Sequence, residues 1–180
     1  MEEIEVPLEK TQENIHEAAH HAQDNWITKV ALFSALVAVA AAVAALLAGH
    51  HSNEAMISQI KASDSWSFFQ AKGIKSAILQ NKMQILTELG KHSNEADQEK
   101  INDYKKEQAE ITEKAKEFEH ESEHHLKVHE VLARTVTLFQ VAIAIAAITV
   151  LTRRKKFLFF SLGFSLLAII FFAQAFLTKI

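Results

Sequence analysis

Three runs of this chain are apolar over a length that only a membrane helix or a deeply buried helix needs. Val30–Ala48 and Phe157–Leu177 carry no charged residue, and Val131–Leu151 carries only Arg134, close to its start. About 20 consecutive apolar residues cross the hydrocarbon core as a helix. Within lipid, a helix satisfies its backbone N–H and C=O groups inside its own segment. The runs therefore predict transmembrane helices over residues 26–49, 131–152 and 157–178. Residues 50–130 are too polar to enter the core and form an appendage between the first and second spans. Four Gly and one Pro in 180 residues leave few places for turns or strand breaks, so the expected class is an all-α membrane protein.

Within the first span Ala dominates, and Ala35, Ala42 and Gly49 share a heptad stripe. Small side chains let helix backbones approach closely in lipid, which predicts that this helix sits inside a bundle. The third span is rich in Phe and is expected to face lipid or to wedge against the Ala-rich helix. Arg153-Arg154-Lys155-Lys156 is a basic link long enough only to turn the chain between spans two and three. Basic residues in short loops stay on the cytoplasmic side. The expected topology has this link, Lys29 and the N-terminal segment inside, and the arm outside. Residues 1–25 are acidic, are expected to be helical, and lack the basic start of a secretory signal.

The arm has one clear break, Gly90-Lys91-His92-Ser93-Asn94, where Gly can stop a helix and Ser93 or Asn94 can cap the next. Before it, Ile57, Ile60, Phe68, Ala71, Ile74, Ile78, Ile85 and Leu89 recur at spacings of three and four, with a slip near Asp64. After it, Ile101, Tyr104, Gln108, Ile111, Ala115, Phe118, Ser122, His125, His129 and Leu132 keep a regular alternation. Such spacing is a heptad seam. It predicts a long antiparallel helical hairpin, a coiled-coil arm, with its turn at 90–94 and these two rows facing each other.

Ala62–Lys75 concentrates Asp64, Trp66, Phe68, Phe69, Gln70, Lys72 and Gly73 in a few helical turns. With Phe68, Ala71 and Ile74 assigned to the seam, Trp66, Phe69 and Gln70 fall on the outer face. Exposed large aromatics mark interfaces, and Gly73 with Ala77 permits a close helix crossing. Trp66, Phe69, Gln70 and Gly73 are therefore the expected docking surface for another protomer or another membrane protein.

Ten His form the second constellation. His50 and His51 leave the first span, and His120, His124, His125 and His129 precede the second, so a hairpin brings the two groups together. The i,i+4 pairs His120/His124 and His125/His129 have the spacing at which two imidazoles bind one Zn²⁺ or Cu²⁺. His50, His51, His124, His125 and His129 are the candidate ligands. Polar packing in the seam and a pH-responsive patch are the competing readings. His16, His20 and His21 repeat the spacing before the first span.

No Cys is present, which excludes disulfides and thiolate chemistry, and a net charge of −3 argues against nucleic acid as a partner. Gly-rich phosphate loops, nucleophile elbows and paired carboxylates in apolar surroundings are missing, so no catalytic residue and no cofactor is expected. Polar groups within the spans are too few for a coupled ion path.

Lys29-Val30-Ala31-Leu32, Gly49-His50-His51-Ser52-Asn53-Glu54-Ala55, Ala62-Ser63-Asp64 with Trp66, Phe69-Gln70-Ala71-Lys72 and Ile74-Lys75 carry a resemblance. With these residues and the order of its apolar segments, the chain resembles an uncharacterised bacterial membrane protein family, the domain-of-unknown-function 4337 type. The resemblance implies a bacterial inner-membrane location but no activity. The functional expectation is a non-enzymatic, self-assembling scaffold or accessory subunit. The alternatives are a metal- or pH-responsive sensor using the His collar, and a small channel or transporter.

Overall fold

A computed structural model describes residues 13, 25–92 and 94–177 of the chain. Its three long helices are α1 (Asn25–Glu88), α2 (Glu95–Thr152) and α3 (Lys156–Leu177), and no strand occurs among the described residues. The N-terminal acidic segment except residue 13, the histidines His16, His20 and His21, Ser93 and the last three residues lie outside the described set. Each of the three helices contains a stretch long and apolar enough to cross a membrane. The chain divides into two compact units: residues 1–52 with 126–180, and residues 53–125.

Local chemistry explains where the helices stop. At the end of α1, the N–H of Gly90 donates to the Thr87 carbonyl at 3.0 Å and that of Lys91 to the Leu86 carbonyl at 2.8 Å. This is the paired closure of a Schellman motif. It requires a left-handed residue, and Gly90 supplies it with φ of 69°. Asn94 then caps α2, accepting the Ala96 N–H on Oδ1 at 3.1 Å. Glu95 and Asp97 place negative charge in the first turn of α2, where the helix dipole favours it. At the second turn the left-handed position is occupied by Arg153, φ 51°.

In the first unit, α1 buries Ile27, Val30, Ser34, Val37, Ala41, Ala44 and Ala48, an alternation of three and four, with Ala31 buried beside it. Val37, Ala41 and Ala44 pack with Phe139, Ala142, Ile143 of α2 and Ala168 of α3, and Phe33, Phe164 and Phe172 close the cluster. Backbones come close enough for the Ser161 hydroxyl of α3 to donate to the Ala142 carbonyl of α2 at 2.7 Å. Small side chains thus do pack this bundle. The stripe expected to do so is displaced, however: Ala42 and Gly49 are exposed, and the packed row runs one position earlier. On α3, Phe164 and Phe172 turn inward while Phe159, Phe160 and Phe176 remain exposed.

In the second unit, α1 residues meet α2 residues whose numbers fall as the α1 numbers rise. Ala55 meets Ser122, Lys61 meets Phe118, Gly73 meets Gln108, and Lys82 meets Asp97. On α2 the burial follows the expected row, with Ile101, Ala115 and Ser122 buried and Tyr104, Gln108, Ile111 and Phe118 half-buried. On α1 it does not. The residues turned inward are Ala55, Ser58, Ala62, Phe69, Gly73 and Ser76, followed by Leu79, Met83 and Leu86. Ile57, Ile60, Phe68, Ile74, Ile78, Ile85 and Leu89 are exposed, most of them by more than half. The assignment of the Ile-rich row of α1 to the hairpin seam is therefore corrected. The physical reason is distance: Ala, Ser and Gly allow a close approach that Ile does not, and the large side chains of the pairing come from α2.

Candidate functional site

The turns from Ala62 to Lys75 are built around that close approach. The Gln108 side chain of α2 donates to the Phe69 carbonyl at 3.1 Å. A backbone carbonyl inside a helix already accepts from the N–H four residues on, so a side chain of another helix can use its second lone pair only where that helix comes near. Gly73 leaves the space: a Cβ there would sit 3.0 Å from Gln108 Nε2. About four helical turns away, Ser122 donates to the Ala55 carbonyl at 2.8 Å in the same manner. The spacing places both Gln108 and Ser122 in the α2 seam; that each reaches a backbone carbonyl of α1 is visible only in the structure.

Trp66 is half-buried, and its indole Nε1 donates to Glu119 Oε1 of α2 at 2.8 Å. Its ring meets Phe69 edge-on, with centroids 5.6 Å apart. Lys72 pairs with Glu107 and lies over the Tyr104 ring at 5.1 Å. Trp66, Phe69 and Gly73 thus face α2 within the chain, which corrects the expectation that Trp66 and Phe69 lie on the outer face. Their spacing suits the same helix-packing role, but the partner helix is α2 of the same chain. Gln70 and Asp64 remain exposed, and Phe68 lies with the uncovered Ile row. The large apolar surface left open on α1 is therefore Ile57, Ile60, Phe68, Ile74, Ile78, Ile85 and Leu89.

The candidate metal ligands fall in both units. In the first, His50 is exposed and meets the half-buried His51 edge-on, with centroids 5.5 Å apart. His129 Nδ1 lies 2.8 Å from the Ala48 carbonyl oxygen. A carbonyl only accepts, so Nδ1 carries the proton and Nε2 is the unprotonated nitrogen of the neutral ring. In the second unit His124 and His125 are half-buried and meet edge-on at 5.7 Å. Among the described residues, no group of three or more His, Asp or Glu is arranged to hold a metal ion. His129 ties α2 to the end of the apolar stretch of α1, a polar packing role.

The first unit also carries an open groove of about 460 Å³ along the Ala-rich stretch of α1. Ala35, Ala38, Ala42 and Ala45 form one wall, and Val136, Gln140 and Ile143 of α2 form the other. This is where the expected Ala35–Ala42 stripe lies: on an open groove rather than in the bundle.

No curated protein and no solved structure is detectably similar to the chain. The family match reaches from residue 26 to residue 178, over all three helices and both units. The chain belongs to the family described as domain of unknown function DUF4337.

Proposed function

We propose that this protein is a non-enzymatic, multi-pass membrane scaffold or accessory subunit that assembles with itself through a helical arm. The arm is an antiparallel coiled-coil hairpin formed by α1 and α2 on either side of Gly90. The opposed numbering of the α1–α2 partners and the three-and-four alternation of buried residues support it. The observation that carries the assembly reading is the second apolar row on α1. Ile57, Ile60, Ile74, Ile78 and Ile85 keep heptad spacing, yet the row is more than 40% exposed at every one of these positions. A helix needs one apolar row to pair with one partner, and this helix has two. Burying one such side chain contributes about 1.5–3 kcal/mol, so a matching row on another copy is a strong reason to associate. Asp64 interrupts the row and sets register, as a polar residue at a single core position does in coiled coils. The Ala-lined groove of the first unit offers a further close-packing surface.

The proposed setting is a bacterial inner membrane, with Lys29 and the Arg153–Lys156 link on the cytoplasmic side and the arm outside. Particle mass of the full chain in mild detergent tests the assembly. The expected result is an oligomer that falls to smaller particles in Ile74→Lys/Ile78→Lys, with helix content by circular dichroism unchanged. A monomeric wild type, or a double variant of unaltered mass, would sink the proposal.

A further inference from the structure

At one end of the first unit, Trp26, Lys29, Val30 and Phe33 of α1 face Lys155, Leu158 and Leu162 at the start of α3, around a pocket of about 300 Å³. Its lining joins two chemistries. Two of the lining residues are lysines, and Lys155 Nζ lies 5.8 Å from the centroid of the Trp26 ring. The rest of the lining is aliphatic and aromatic, and Val30, Leu158 and Leu162 belong to the apolar stretches that are long enough to cross a membrane.

Basic charge gathers at this end. Lys29, Arg153, Arg154, Lys155 and Lys156 gather in the sequence segments that meet at this end, and residues 25–53 and 131–180 contain no Asp or Glu. Among the described residues, neither Lys29 nor Lys155 has a carboxylate partner. Lysines beside an apolar slot between membrane helices match an anion that carries a hydrocarbon tail. We infer that this pocket binds an anionic phospholipid, its phosphate between Lys29 and Lys155 and its acyl chain along Val30, Phe33, Leu158 and Leu162. Phosphatidylcholine brings a quaternary ammonium to the same lysines and meets two like charges. Free phosphate leaves the apolar part of the lining unused. A carboxylate at the same lysines would leave the apolar part of the lining unfilled.

Trp26 is a built-in reporter. The chain has two Trp, so Trp66→Phe leaves Trp26 as the sole indole, and circular dichroism verifies that this background keeps its helix content. The full-length background protein is reconstituted in vesicles that contain a small fraction of phosphatidylglycerol or phosphatidylcholine with brominated acyl chains, which quench a nearby indole. The expected result is a clear preference for phosphatidylglycerol, falling about five-fold for each lysine removed in Lys29→Gln and Lys155→Gln. Raised salt weakens it, and Lys100→Gln, in the other unit, leaves it intact. Equal quenching by the two lipids would overturn the inference, as would a preference that survives Lys29→Gln/Lys155→Gln. So would a preference abolished by millimolar inorganic phosphate, which makes this a free-anion site. A preference that emerges only in Glu13→Gln/Glu17→Gln/Asp24→Asn would make the acidic segment the occupant and overturn it too.

Discussion

Two glycines of α1 have opposite prospects, and the difference is set by what stands beside them. Nothing lies within 4 Å of a Cβ built on Gly49. Gly49→Ala therefore gains helix propensity without a clash, and is expected to stabilise the fold by about 0.5–1 kcal/mol. Gly73 faces Gln108 Nε2, itself held by the Phe69 carbonyl. Gly73→Leu must displace that amide and open the helix pair, and is expected to cost about 1–3 kcal/mol. Thermal unfolding of the two variants in one detergent checks both signs. At this scale the sequence was informative about residue type but not about direction. Trp66 and Phe69 were legible as helix-contact residues, yet the contact is with α2, and only the Glu119 hydrogen bond and the edge-on Phe69 ring reveal it.

At the scale of elements, the two turns solve the same problem with different residues. Gly90 takes φ of 69° with no neighbour near its Cβ position. Gly90→Ala is therefore a test of backbone conformation alone, expected to destabilise by roughly 1–2 kcal/mol. Arg153 takes φ of 51° with a full side chain, so Arg153→Gly is expected to stabilise by about 0.5–1 kcal/mol. The shift in unfolding midpoint should have opposite sign in the two variants; the same sign in both would contradict the turn geometry. The row of α2 from Ile101 to Ser122 was legible because its inward residues are large and regularly spaced. The inward row of α1 was not. Ala55, Ser58, Ala62, Gly73 and Ser76 carry little hydrophobic signal, and the Ile row beside them carries more. Hydrophobic periodicity finds the most apolar face of a helix, which is the packed face only when the helix has a single apolar face.

For the whole molecule, the proposed topology puts the turn at Gly90 and the Arg153–Lys156 link on opposite sides of the membrane. The chain lacks Cys, so one introduced thiol reports its own location. With a membrane-impermeant maleimide applied to intact cells, Lys91→Cys, beside the turn between α1 and α2, is expected to label. Arg154→Cys, in the basic link, is expected to label only after the membrane is permeabilised. The reverse pattern would invert the proposed topology and leave the fold untouched. The lipid pocket belongs to the same scale, because Lys29 and Lys155 are far apart in sequence and only the packing of α1 against α3 puts both in one pocket lining.

By itself the sequence determined the all-helical class, the three apolar stretches, the place of the turn at Gly90 and the packed row of α2. Each of these depends on composition or spacing within one segment, which a linear reading carries in full. The tertiary structure decided which of two rows on α1 is packed, that Ala41, Ala44 and Ala48 rather than Ala42 and Gly49 line the bundle, and that His129 is held by a backbone carbonyl. Those outcomes depend on how near two backbones come. That distance is set jointly by both partners, with Gln108, Ser122 and Ser161 reaching carbonyls that their own helices do not contain.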